Sequence, residues 1–84
     1  MAKVPRPKPK RLAEKLKAIR HNLSLSQSQM LAALGMENAY NRSAISGYEL
    51  GSKEPPLPIL LKYARQAGVS TDVLIDDEQE LQPR

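Results

Sequence analysis

Nucleophilic catalysis needs a base beside the nucleophile, and this sequence offers only His21 to serve hydroxyls such as Ser26 and Ser46. His21 falls near the end of a charged segment, where a surface imidazole is the ordinary reading. The absence of Cys excludes a disulfide framework, a thiolate zinc site, an iron–sulfur cluster and a cysteine nucleophile. One histidine cannot build a two-histidine metal site. The acidic run Asp76, Asp77, Glu78 and Glu80 lacks the spaced ligands and central glycine of a calcium loop, so it reads as solvated. Neither catalysis, a metal nor a cofactor is expected.

The chemistry that remains is recognition of a polyanion. With 84 residues the chain holds one compact domain, and its formal charge of +4 is unevenly spread. Residues 1–20 carry eight Lys and Arg side chains against Glu14 alone, whereas residues 21–84 carry five basic against eight acidic ones. A basic front and an acidic end suit a polyanionic partner at one end, although charged termini also serve solubility. No apolar run reaches the roughly 20 residues of a membrane span, and the N-terminus lacks the apolar core of a signal peptide. A reduced-compartment, cytoplasmic protein without a membrane partner is expected.

These residues must be positioned by short helices. Residues 1–9 hold three prolines and almost nothing to bury, and they read as a flexible basic arm. Leu12, Leu16 and Ile19 then recur at helical spacing from about Lys10 to His21, with charges on the opposite face. Ser26-Gln27-Ser28-Gln29 has the form of a capping box, and Leu25 and Met30 stand at staple spacing for a second helix that stops at Gly35. Asn41 caps a third helix over 42–50 that ends at Gly51, with Ile45 and Tyr48 inward. Arg42, Ser43, Ser46, Gly47 and Leu50 form its outward face. After the breaker Gly51–Pro56, Pro58 opens a fourth helix whose Leu60, Leu61, Ala64 and Ala67 face inward, closed by Gly68. Ser70 caps a short fifth helix through Val73, Leu74 and Ile75. No segment alternates with period two, so the fold class is all-α. The organisation expected is an arm over 1–9, a domain over 10–76 and an acidic flexible tail over 77–84.

From Leu12 to Asp76 the chain resembles the Cro/C1-type helix-turn-helix domain of lambdoid phage repressors and bacterial XRE-like regulators. The resemblance is carried by Leu25-Ser26-Gln27, Leu31-Ala32, Leu34-Gly35 and the run Arg42-Ser43-Ala44-Ile45-Ser46-Gly47-Tyr48-Glu49-Leu50-Gly51. Pro56-Leu57, Leu60-Leu61-Lys62-Tyr63-Ala64 and Gly68-Val69-Ser70 complete it in order. It implies a five-helix bundle of the lambda-repressor-like type. In that fold the third helix enters the major groove of double-stranded DNA and the second lies across the backbone. It also implies a homodimer on a near-palindromic site, acting as a repressor, and the segment from Val69 to Ile75 is the expected dimer contact.

Roles follow from the resemblance position by position. Gln27 would clamp a phosphate at the start of the second helix, where amide hydrogens are unpaired. Arg42 and Ser43 would reach base edges, Arg42 through a bidentate pair with guanine or else a phosphate, and Ser46, one turn on, would touch a base or a phosphate. Lys53, in the loop after the third helix, would contact phosphate, and Lys10 and Arg11 would add salt-dependent attraction. Arg20 and Glu49 would form a partly buried ion pair tying the first helix to the third.

Two departures stand out. Gly47 occupies a position where relatives carry a long side chain that reads bases. The connection Met36-Glu37-Asn38-Ala39-Tyr40 is longer than the family's usual turn. Either it bulges, or the third helix starts one turn earlier with Asn38 as cap. In the second case Asn41 would read adenine and Tyr40 would meet sugar or phosphate. A rival function with the same fold is an antitoxin or adaptor that mainly holds a protein partner. Gly47 and the acidic tail both favour it.

Overall fold

In the computed structural model, residues 9–81 are described; all but the last residue of the arm expected over 1–9, and residues 82–84 of the expected tail, lie outside them. Five helices run α1 (Leu12–Asn22), α2 (Gln27–Ala33), α3 (Arg42–Leu50), α4 (Leu57–Ala67) and α5 (Thr71–Ile75), with no strand among the described residues. α1 is the central post, packing against α3, α4 and α5, while α2 packs on α3.

The core is a single cluster drawn from every helix. Leu16, Ile19, Met30, Ile45, Tyr63 and Leu74 are its largest fully buried side chains. Burying each of the aliphatic ones removes a side chain from water at a gain of about 1.5–3 kcal/mol, which is what holds such short helices in place. On α4 the buried stripe is Ile59, Leu60, Tyr63 and Ala64, whereas Leu61 is turned outward and exposed, contrary to expectation. The stripe at i, i+1, i+4 and i+5 leaves no room on the inner face for position 61.

Lys15 also departs from the reading of α1 as apolar on one face and charged on the other. It lies on the inner face among Leu12, Leu16 and Ile19 and is buried. Its ammonium donates to the carbonyls of Val73 at 2.7 Å and Asp76 at 2.9 Å, so a buried cation closes the C-terminal end of α5.

The chain after α5 returns to the start of α1. The amides of Lys10 and Arg11 donate to the Asp77 carboxylate, and the Arg11 guanidinium holds Glu80 through two bonds, Glu14 through one and the Asp77 carbonyl through another. Residues 77–81 of the acidic segment are thus seated beside α1, with Leu81 against the core.

Candidate nucleic-acid interface

The α2–α3 unit is built on two side-chain caps. Ser26 Oγ accepts from the Gln29 amide at 3.0 Å while Gln29 Oε1 accepts from the Ser26 amide at 2.8 Å, a complete capping box. Asn41 Oδ1 accepts from the Ser43 amide at 3.0 Å and from the Ser43 hydroxyl. α3 therefore starts at Arg42, and the connection before it is the longer turn. Met36 anchors that turn by burying its side chain in the core, and its carbonyl accepts from the amides of Ala39 and Tyr40.

α3 buries Ala44, Ile45 and Tyr48 and leaves Asn41, Arg42 and Ser43 exposed at its leading tip, with Ser46 half-buried one turn on. Among the described residues, neither Arg42 nor Lys53 takes part in an ion pair. The Asn41 amide oxygen is already occupied as the cap, so this residue first sets where the helix begins. Tyr40 is exposed beside it, at the end of the turn.

The tilt of α3 is set by Arg20. Its Nε donates to Glu49 Oε2 at 2.6 Å, its Nη2 to Glu49 Oε1 at 2.9 Å, and its Nη1 to the Leu25 carbonyl at 2.9 Å. Gln27 Nε2 donates to Glu49 Oε1 at 3.4 Å, so one carboxylate links α1, α3 and the first residue of α2. Burial alone would push the Glu49 carboxyl up, but hydrogen bonds from Arg20 and Gln27, with the guanidinium charge, hold it below the usual carboxylate range. Gln27 thus sits half-buried at the start of α2, bonded to the pair that ties the far end of α3 to α1.

The remaining candidates are placed differently. Arg11 is held by Glu14 and Glu80 at the start of α1, so much of its charge is answered within the chain. Lys10 is exposed and, with Pro9, borders a recess shared with Leu50, Gly51 and Lys53, which puts the start of the described chain beside the end of α3. Gly47 is not an open gap in the outward face. It is buried under the stem of Lys53, a contact that sequence spacing alone does not signal because it depends on how the loop folds back. Lys15 is the structural residue the sequence reading missed. Its place at i+3 from Leu12 and i−4 from Ile19 was the available signal.

Among the described residues no cluster of His, Asp or Glu fit to hold a metal occurs, and no helix is long and apolar enough to cross a membrane.

A helix-turn-helix family model matches residues 16–74. Among solved structures, the chain is similar to the P22 c2 repressor protein, determined in complex with the synthetic operator 9T in the presence of Tl+. The identity is 25%, the TM-score 0.68, and the match covers 80% of this chain and 96% of that one. No curated protein matches the chain.

Proposed function

Given that the chain belongs to the Cro/C1-type helix-turn-helix family of DNA-binding transcription regulators, we propose that it is a sequence-specific repressor that reads the major groove with α3. The observation that carries this reading is the tip of α3. Asn41, Arg42 and Ser43 project into solvent from a helix whose opposite face is locked into the core and whose tilt is held by Arg20 and Glu49. A rigid rod with an exposed, cationic leading end is what a groove of about 12 Å admits. Arg42, Ser43 and Ser46 meet base edges, and Asn41, whose amide oxygen is taken by the cap, sets where they begin. Gln27 and Tyr40 meet the flanking phosphates, Lys10 adds attraction from the edge, and Arg11 adds less because Glu80 competes for it.

The operator is met by a homodimer. Leu57, Leu61 and Ile75 are the exposed apolar side chains of α4 and α5, and they supply the surface for a second copy. This shifts the expected contact from the whole Val69–Ile75 segment towards Ile75 and the outer face of α4.

Selection of bound fragments from random duplex DNA tests the reading. The expected result is a two-fold symmetric motif with half-sites about one helical turn apart. Recovery of random sequence, or of nothing at moderate salt, overturns it.

A further inference from the structure

The outward face of α3 lacks a side chain at position 47, and the loop that follows the helix fills the place. The Lys53 amide donates to the Gly47 carbonyl at 3.1 Å, and the Ser52 hydroxyl donates to the same carbonyl at 3.4 Å. These bonds bring the loop back over the helix and fix the root of Lys53. A methyl group on Gly47 would lie 2.8 Å from Lys53 Cδ, 3.0 Å from Cγ and 3.3 Å from Cβ. Three successive carbons of the lysine stem therefore lie on the Gly47 backbone, and any side chain at position 47 would displace them.

The direction of that stem matters. Residues 43 and 47 are neighbours on one face of α3, four apart. Lys53 borders an open recess of about 480 Å³ with residues 38–41, Ser43 and Ala44. The stem thus lies across the outward face of α3 at position 47, between this recess at the tip and the one it shares with Leu50 and Gly51 at the other end. Lys53 is exposed, and it forms no ion pair among the described residues, even though Glu54 is adjacent in sequence.

We propose that Lys53 is a specificity-determining residue that donates to a guanine edge in the major groove, and that Gly47 is the positioning residue that lets it lie there. The inference rests on the reading of α3 as the groove-entering helix. It revises the phosphate role that family resemblance gives a loop lysine. A lysine that projects from the loop meets backbone, whereas one laid across the reading face meets what that face meets. An ammonium has donors only, and guanine O6 and N7 are the paired acceptors that the major groove offers it. The stripe vacated at position 47 is thereby refilled from six residues downstream.

Selection from random duplex DNA with the wild-type chain, Lys53→Met, Gly47→Ala and the double variant tests the assignment, with helix content checked by far-UV circular dichroism. The wild-type motif is expected to require guanine at one position per half-site. Lys53→Met loses that requirement by about tenfold and leaves the other positions unchanged. Gly47→Ala, which displaces the stem, loses discrimination at the same position, and the double variant loses no more than either. If Lys53→Met keeps the whole motif and weakens selected and random duplexes alike, the contact is to phosphate and the proposal is overturned. The same holds if Gly47→Ala keeps full discrimination at that position. If the wild-type chain enriches no motif, the groove reading of α3 fails and this assignment falls with it. A motif that survives Lys53→Met removes this assignment alone.

Discussion

Arg20 on α1 and Glu49 on α3 close a two-pronged ion pair at 2.6 and 2.9 Å, with the Glu49 side chain only 4% exposed. A buried carboxylate left without its guanidinium costs about 3–5 kcal/mol, because desolvation is no longer offset by the partner's charge. Arg20→Met is expected to destabilise the fold by about that amount in urea unfolding. The carboxyl titrates below its unfolded value, so the pair's contribution is complete above about pH 4.3 and is lost as the pH falls through the folded pKa. Glu49→Gln should therefore start less stable at pH 7 and lose less on acidification, which unfolding curves at pH 7 and pH 3 will show.

The two caps contribute separately. Ser26→Ala removes the acceptor for the Gln29 amide, and Asn41→Ala removes the acceptor for the Ser43 amide. Each is expected to cost about 1 kcal/mol of stability. Their effects should add within about 0.5 kcal/mol in the double variant, since neither cap bonds to the other's partner. Only Asn41→Ala should also change duplex recognition, because its cap sets where the reading helix begins.

The five helices, the capping box, the Asn41 cap and the Arg20–Glu49 link were legible because each is local or is carried by a family pattern. Ser26 and Gln29 announce their bond by a three-residue spacing, and Gly51 and Gly68 mark helix ends through their left-handed backbone. Ser70, by contrast, stands at the start of α5 without a side-chain cap bond, although its residue type suggested one. What stayed hidden depends on tertiary return of the chain. Lys15 is buried because α5 ends beside it, Gly47 is covered because the loop folds back, and Leu61 faces out because Ile59 and Tyr63 take the inner face. The turn before α3 was ambiguous because Asn38 and Asn41 are equally good cap residues by type, and the Asn41 cap bond together with the burial of Met36 selects the longer turn.

Arg42 and Gln27 separate base reading from backbone positioning. Arg42 is exposed at the tip, and Gln27 sits at the start of α2 beside Glu49. Arg42→Ala is expected to narrow the gap between the selected and a scrambled duplex by about 1–3 kcal/mol. Gln27→Ala should weaken both duplexes together and leave their ratio unchanged. Fluorescence anisotropy titrations with the two duplexes measure both quantities. Equal loss on both duplexes for Arg42→Ala would assign it to phosphate.

Glu80 restrains the charge of Arg11. The pair is formed by two hydrogen bonds at 3.0 and 2.8 Å on the surface, and the guanidinium holds the Glu80 carboxyl below its usual range. Glu80→Gln should leave thermal stability nearly unchanged, as expected of an exposed pair. It should tighten duplex binding at low salt, and the slope of log affinity against log salt should steepen by up to about 0.9 as one more cation becomes available to phosphate. An unchanged slope would place Arg11 away from the duplex.

Tyr63 is the one buried side chain among the described residues whose polar atom lacks a hydrogen-bond partner. Burial, with the nearby Glu49 charge, drives its phenol well above the ordinary value, so the group stays neutral throughout the accessible range. A stranded hydroxyl in a core costs about 1–3 kcal/mol relative to its hydration in the unfolded chain. Its ring, however, is fully buried among the side chains that hold α4 in the bundle. Tyr63→Phe keeps the ring and deletes the hydroxyl. The expected outcome is a gain of about 1 kcal/mol, a rise in melting temperature of roughly 4–8 °C for a domain of this size. A loss of stability instead would mean that the hydroxyl is satisfied by a buried water, and a water-filled site beside the Arg20–Glu49 pair would then be part of what holds α3.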